Sequence, residues 1–224
     1  MGVVISKPAI NLREQLTELK ATQGYEERQF HFDGLVTNGT FDTDISGWAA
    51  LTATVSWDAS GALSSNASGG AMGAYQNIAT VAGKTYAVKA VSTSATTLHR
   101  LRVNVGSFAG AVIVESSEVS SPTAFSLTFT ATSAITTVYL RNGEAGTVLW
   151  DNVYVYEVDP NDSNKVIHTM PKGWKPLHVF EDGALQREGS AYDYTVEYNG
   201  FNYIVKETVA PVAPYSTTVI GVRA

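Results

Sequence analysis

Between residues 98 and 131 the chain alternates. Leu101, Val103 and Val105 alternate with Arg100, Arg102 and Asn104, and Phe125, Leu127 and Phe129 alternate with Ser126, Thr128 and Thr130. A period of two sends successive side chains to opposite faces of a strand, so both segments read as strands with one buried face. The same reading places strands at 52–57, 74–78, 85–91, 112–115, 136–142 and 147–157. Turn clusters such as Asp58-Ala-Ser-Gly61 and Val81-Ala-Gly-Lys84 separate them. Many short strands at this spacing predict an antiparallel sandwich or barrel. Residues 35–48 open the series. There the turn residues of Asn38-Gly39 and Ser46-Gly47 alternate with the large apolar anchors Phe41 and Trp48.

The two ends read differently. Residues 2–10 look extended, and Pro8 disfavours a helix before it. Asn11 with Glu14 forms a capping-box pattern, and Gly24 is a C-terminal stop, so a short helix is expected over 12–23. Leu12, Leu16 and Leu19 fall on one face of it. A helix this short is marginal alone, so its leucine stripe needs a cover. The cover is either the chain's own β domain or a partner, in a small parallel bundle or at a docking site. Residues 25–33, with Phe30 and Phe32 alternating, read as an edge strand or an extended linker. At the other end, 159–165 is a linker by composition. Asp182-Gly183 and Asn199-Gly200 mark hairpin turns between strands, and a last strand falls at 216–222. This module of roughly 60 residues is small for a free-standing core and is expected to lean on a neighbour. The organisation expected is an arm (1–34), a large β domain (35–158) and a small C-terminal β module (159–224).

Composition narrows the function classes. A net charge of −6 argues against a nucleic-acid partner, which calls for a basic face. No cysteine is present, which excludes disulfides, thiolate metal sites and cysteine nucleophiles. No run approaches the roughly 20 apolar residues that span a bilayer. Lys7 and Pro8 interrupt the brief apolar start, so no signal peptide is expected, and synthesis without standard export follows. His31, His99, His168 and His178 show no metal-binding spacing, and there is no nucleophile elbow or phosphate loop. Glu181 and Asp182 lie at a turn, and the spacing of Glu115 and Glu118 does not fix their separation across a substrate. The chain reads as non-enzymatic.

Several motifs together carry a resemblance. Asn38-Gly-Thr-Phe-Asp42 with Gly47-Trp48 opens the domain, and Gln76-Asn-Ile78 is followed by Gly83-Lys-Thr-Tyr86. Phe129-Thr-Ala-Thr132 and Trp150-Asp-Asn-Val153 close it. Residues 35–158 thereby resemble the jelly-roll domains of carbohydrate-binding-module type. The resemblance implies an antiparallel jelly-roll sandwich and a structural calcium held by Asp42 and Asp151. At 42 the usual Glu is replaced by the shorter Asp. It also implies glycan binding on aromatic platforms, for which Trp57, Tyr75 and Tyr139 are the candidates. Trp48 and Trp150 occupy core-anchor positions, and cross-strand packing is the competing role for all five. The C-terminal pattern Val179-Phe180, Asp182-Gly183, Leu185-Gln186, Tyr192-Asp-Tyr-Thr-Val196 and Thr217-Thr-Val-Ile-Gly221 resembles repeats of bacteriophage tail-fibre, neck and head-fibre proteins. Those pack as homotrimers. The segment Ile5–Glu14 is similar to the start of phage structural proteins. The leading expectation is therefore a virion decoration or fibre subunit, a homotrimer partnered by capsid, neck or tail proteins and assembled in the host cytoplasm. The alternative is an adhesion module that recognises host or environmental glycans. An accessory domain of a polysaccharide depolymerase is a weaker third reading.

Overall fold

The computed structural model describes residues 26–32, 34–181, 184–189, 193–207 and 217–223. The helix expected over 12–23, with Leu12, Leu16 and Leu19, lies outside them. The strands in chain order are β1 (Glu27–Phe32), β2 (Ala49–Leu51), β3 (Thr54–Asp58), β4 (Ala62–Ala67), β5 (Met72–Ala79) and β6 (Thr85–Ala95). Then come β7 (His99–Val105), β8 (Val112–Glu115), β9 (Thr123–Thr130), β10 (Ile135–Asn142), β11 (Gly146–Asp159) and β12 (Asp162–Thr169). The series ends with β13 (Trp174–Glu181), β14 (Ala184–Leu185), β15 (Tyr194–Tyr198), β16 (Tyr203–Glu207) and β17 (Thr217–Arg223).

One sheet runs β2-β5-β10-β7-β8, and the facing sheet runs β3-β4-β11-β6-β9. Numbered from β4, the first sheet contains the second, seventh, fourth and fifth strands, and the other contains the first, eighth, third and sixth. That is the two-Greek-key order of a jelly roll, with β2 and β3 added at the edges. The alternation read from sequence sets the inner face. Leu101 and Val103 of β7 are fully buried, as are Val138 and Leu140 of β10. Phe125 and Phe129 of β9 complete the other wall. Trp150 is fully buried against Phe125, with ring centroids 5.4 Å apart. His99 lies edge-on to both rings. Its Nδ1 is 3.1 Å from the Thr97 carbonyl and its Nε2 2.8 Å from the Ser92 hydroxyl. A carbonyl only accepts, so Nδ1 carries the proton and Nε2 accepts from Ser92. Burial holds this imidazole below its ordinary pKa, which favours the neutral ring. It is a core residue.

The opening segment is fastened from three sides. Phe41 and Trp48 pack together in the core, 5.6 Å apart. Gln76, buried on β5, accepts from Thr37 N at 2.7 Å and donates to Thr37 O and Gly47 O. At Gly39 the chain presses against β11. Val153 N donates to Gly39 O at 2.8 Å, and a Cβ on Gly39 would lie 1.9 Å from Val153 O. Only glycine allows that approach.

Strand β11 reaches beyond the sandwich. Its start pairs with β4, and its end pairs with β12, which continues into β16 and β15. The stretch 159–165, read from composition as a linker, is the tight turn and start of this β11–β12 hairpin. Asp159 Oδ1 accepts from Asn161 N at 2.9 Å and closes the turn. Turns and linkers share a polar, proline-bearing composition, so composition alone does not separate them. The remaining sheet is β1-β17-β13-β14. Strand β1, grouped above with the arm, pairs with the last strand from Glu27↔Val222 to Phe32↔Thr217. Phe30 packs edge-on against Trp174 at 5.1 Å. Met170, Trp174, Val179, Tyr194, Val205 and Val219 form the core of this second unit.

Candidate functional site

The outward face of the β2-β5-β10-β7-β8 sheet carries the side chains that the core face excludes. Register arranges them in three rows across the strands. The middle row is Ala49, Tyr75, Tyr139, Arg102 and Glu115. On one side lies Asn77, Thr137 and Asn104, and on the other Gly73, Arg141 and Arg100.

The loop between β7 and β8 folds back over the first of these rows. Asn104 Nδ2 donates to Phe108 O at 2.6 Å, and Gly106 N donates to Ile135 O at 2.9 Å. Phe108 thereby reaches the Tyr75 ring, with centroids 5.2 Å apart. Phe108 is 38% exposed and Tyr75 is half-buried, so the pair offers an apolar ledge to solvent. Tyr139 is buried beside it. Its hydroxyl donates to Ala71 O at 2.8 Å. Burial raises the Tyr139 phenol above its ordinary pKa, against the lowering pull of Arg141 and Arg102.

Next to the ledge stands a cluster of charge. Arg102 contacts Glu115 at 2.6 Å through Nη2 and 2.7 Å through Nε. Arg100 contacts Glu118 at 2.5 Å and Glu115 at 3.4 Å. Desolvation pushes the Glu115 carboxyl up. The hydrogen bond and charge of Arg102, with Arg100 and Arg141, outweigh it and hold Glu115 below its ordinary value. Two side chains on this face have buried polar atoms without a hydrogen-bond partner: Asn104 through Oδ1, and Arg141 through Nε and Nη1. The Arg141 guanidinium also hydrogen-bonds the Tyr139 hydroxyl.

Of the three aromatic candidates, Tyr75 and Tyr139 are thus cross-strand neighbours on one face. Trp57 stands elsewhere, on the edge strand β3 of the facing sheet, where its Nε1 donates to Phe41 O at 2.7 Å. Sequence reasoning passed over Phe108, Asn104 and the three arginines. Alternation could have found Arg100, Arg102, Asn104 and Arg141, since each lies one residue from a core position. Phe108 is placed by a loop, which carries no period.

Asp42 of the opening segment and Asp151 of β11 lie close enough for the charge of the first to act on the second. Asp151 is raised above its ordinary pKa, chiefly by desolvation and further by the charge of Asp42, while its hydrogen bond from Asn152 N opposes the shift. Thr40 Oγ1 donates to Asp42 Oδ2 at 2.6 Å. Among the described residues neither carboxylate is ion-paired, and no third acidic or histidine side chain completes a cluster. Two uncompensated carboxylates fit a hard cation in charge and in oxygen chemistry, with further oxygens to come from backbone carbonyls.

No family model matches the chain. No curated protein matches it. Among solved structures, it is similar to a CBM4 structure at 21% identity, over 50% of this chain and 94% of that one, with a TM-score of 0.42. It is also similar to the CBM22-1-GH10 modules of Clostridium thermocellum xylanase 10B complexed with xylohexaose. That match is at 18% identity over 58% of this chain and 29% of that one, with a TM-score of 0.45. A further likeness, to the enzymatically active domain of bacteriophage CBA120 tailspike protein 4, is at 16% identity over 55% of this chain and 21% of that one, with a TM-score of 0.38. At these scores no ligand carries over from them.

Proposed function

We propose that the outward face of the β2-β5-β10-β7-β8 sheet binds a glycan. The observation that supports this reading is the half-exposed Tyr75–Phe108 ledge set beside the partly exposed Arg102–Glu115 pair. A pyranose ring has one apolar C–H face and a rim of hydroxyls. The apolar face stacks on an aromatic ring, and the hydroxyls need donors and acceptors in fixed places. The ledge supplies the first, and the partly exposed Arg102 and Glu115 side chains supply the second. The proposed role is recognition, with no catalytic step. Binding of the full chain to an array of plant, algal and bacterial-surface oligosaccharides tests it. At least one class should be retained, and retention should fall when Tyr75 or Phe108 is changed to alanine. Retention that is indifferent to both changes overturns the assignment to this face.

The proposal extends to a structural calcium between Asp42 and Asp151, where it would hold the opening segment against β11. A second reading places the sandwich on a virion as a trimeric decoration or fibre subunit. It is favoured by the pairing of β1 with β17, which gathers the first and last described strands into one sheet apart from the glycan-binding face. A solution mass three times that of the 23.9 kDa chain supports this reading, and a strictly monomeric protein absent from purified particles counts against it.

A further inference from the structure

We infer that the glycan taken by this face carries a carboxylate, a uronic-acid unit, and that Arg141 reads it. The inference rests on the glycan-binding reading above and names its ligand class. Three guanidinium groups, of Arg100, Arg102 and Arg141, share one corner of the face with two carboxylates, of Glu115 and Glu118. Arg102 is satisfied by Glu115, and Arg100 by Glu118. Arg141 is the third guanidinium against two carboxylates, and it hydrogen-bonds the Tyr139 hydroxyl. Its nearest carboxylate oxygen is Glu118 Oε1 at 4.0 Å, and that same oxygen lies 2.5 Å from Arg100 Nη2.

Register makes the surplus sharper. Arg141 stands directly opposite Arg100 on β7, a like-charge pair that shares the single Glu118 carboxylate oxygen between them. On its other side it faces Gly73, which offers no side chain at all. A Cβ there would meet Leu140 O at 2.0 Å and the Tyr139 ring at 3.1 Å, so the position is kept bare by packing. The Arg141 side chain is 15% exposed, yet its Nε and Nη1 have no partner. A carboxylate supplies the negative charge that the corner lacks, and it matches the planar donor geometry of arginine. A neutral hydroxyl supplies an acceptor alone. The aromatic ledge one row away places a stacked sugar ring beside this charge, so a carboxylate borne on that ring or its neighbour fits both features.

The test uses the full chain and pairs of ligands that differ only at the carboxyl: oligogalacturonate, oligomannuronate and oligoglucuronate, each against its methyl ester. Titration calorimetry should give at least one acid bound about tenfold or more tighter than its ester. Raising sodium chloride should weaken the acid and leave the ester nearly unchanged. Arg141→Gln should bring the acid-to-ester ratio below about threefold, and Arg141→Lys, which keeps the charge, should retain part of it. A melting curve for each variant separates lost binding from lost folding, and the ester and salt comparisons on the unaltered protein stand without any variant. Equal binding of acid and ester, or a neutral glycan bound more tightly than every uronate, overturns the inference while the glycan-binding face survives. A sulfated oligosaccharide bound in place of all uronates overturns the carboxylate assignment. If no glycan of any class binds, the face itself has been misread, and the inference falls with it.

Discussion

Phe108→Ala is the sharpest perturbation of the proposed face, because it removes a ligand surface while leaving the scaffold that presents it. The loop holding Phe108 is fixed by backbone bonds: Val105 N to Ala111 O, Gly106 N to Ile135 O and Gly110 N to Ser107 O. The Asn104 bond ends on the Phe108 carbonyl. All of these survive truncation of the ring. The folded state loses the stacking on Tyr75, about 1 kcal/mol, which lowers the melting temperature by a few degrees. Binding loses more. With 38% of the residue exposed and a full phenylalanine area of about 200 Å², about 75 Å² is free to meet a sugar. At about 25 cal/mol per Å² that is about 2 kcal/mol, or about 25-fold in affinity if a ligand covers all of it. Titration calorimetry against whichever oligosaccharide the unaltered protein retains measures this directly, with the melting curve as the folding control. Trp57→Ala is the matched comparison. Trp57 lies on the edge of the facing sheet and bonds to Phe41 O, so its loss should cost stability and leave affinity within about twofold. Loss of binding in Trp57→Ala with Phe108→Ala intact would place the ligand on the wrong sheet for the reasoning above and refute it.

Other consequences follow from the same geometry. Desolvation and the charge of Asp42 raise the Asp151 carboxyl, so its stabilising contribution is present below the unfolded pKa, near 3.8, and fades as pH rises through the raised folded value. With chelator present, Asp151→Asn should therefore raise the melting temperature at neutral pH. Added calcium should raise that of the unaltered protein and not of the variant, and identical unaltered-protein curves with calcium and with chelator would sink the calcium proposal. Lys206 Nζ lies 2.8 Å from Asp159 Oδ2 and 2.9 Å from Glu197 Oε2, and it holds Asp159 below its ordinary pKa. That contribution is present above pH 3.8 and is lost as pH falls through the lowered value. Lys206→Met should accordingly lower the melting temperature at pH 7 by a few degrees and flatten the acid limb of the stability curve. Gly39→Ala drives a Cβ into the Val153 carbonyl, a backbone atom that cannot turn aside. A loss of about 3 kcal/mol in denaturant unfolding is expected, and an unchanged midpoint would mean the opening segment is not pinned there.

Some of this was legible in the sequence, and the division has a physical cause. Period-two alternation records burial directly. The inward set Leu101, Val103, Phe125 and Phe129 could therefore be read, and with it the sandwich. The motif residues were legible for a similar reason. Gly39 is forced by a backbone approach, and Gln76 is buried because it ties the opening segment to β5. Pairing across the sheet leaves no such trace. Nothing local in Glu27–Phe32 says that its partner is the last strand, and nothing in residues 159–165 says that they turn rather than link. The candidate site depends on just this missing information. Tyr75 and Tyr139 were named as aromatics, but register makes them neighbours, and a loop brings Phe108 to them from across β10. The charge balance behaves the same way. A net charge of −6 for the whole chain gives no hint of the proposed anion-binding face. Yet register gathers Arg100, Arg102 and Arg141 around two glutamates, three positive charges against two negative. Whole-chain charge sets the average field, whereas a bound sugar meets only the few groups within reach of its own atoms. The proposed ligand class therefore rests on the pairing of β10 with β7, and not on the composition.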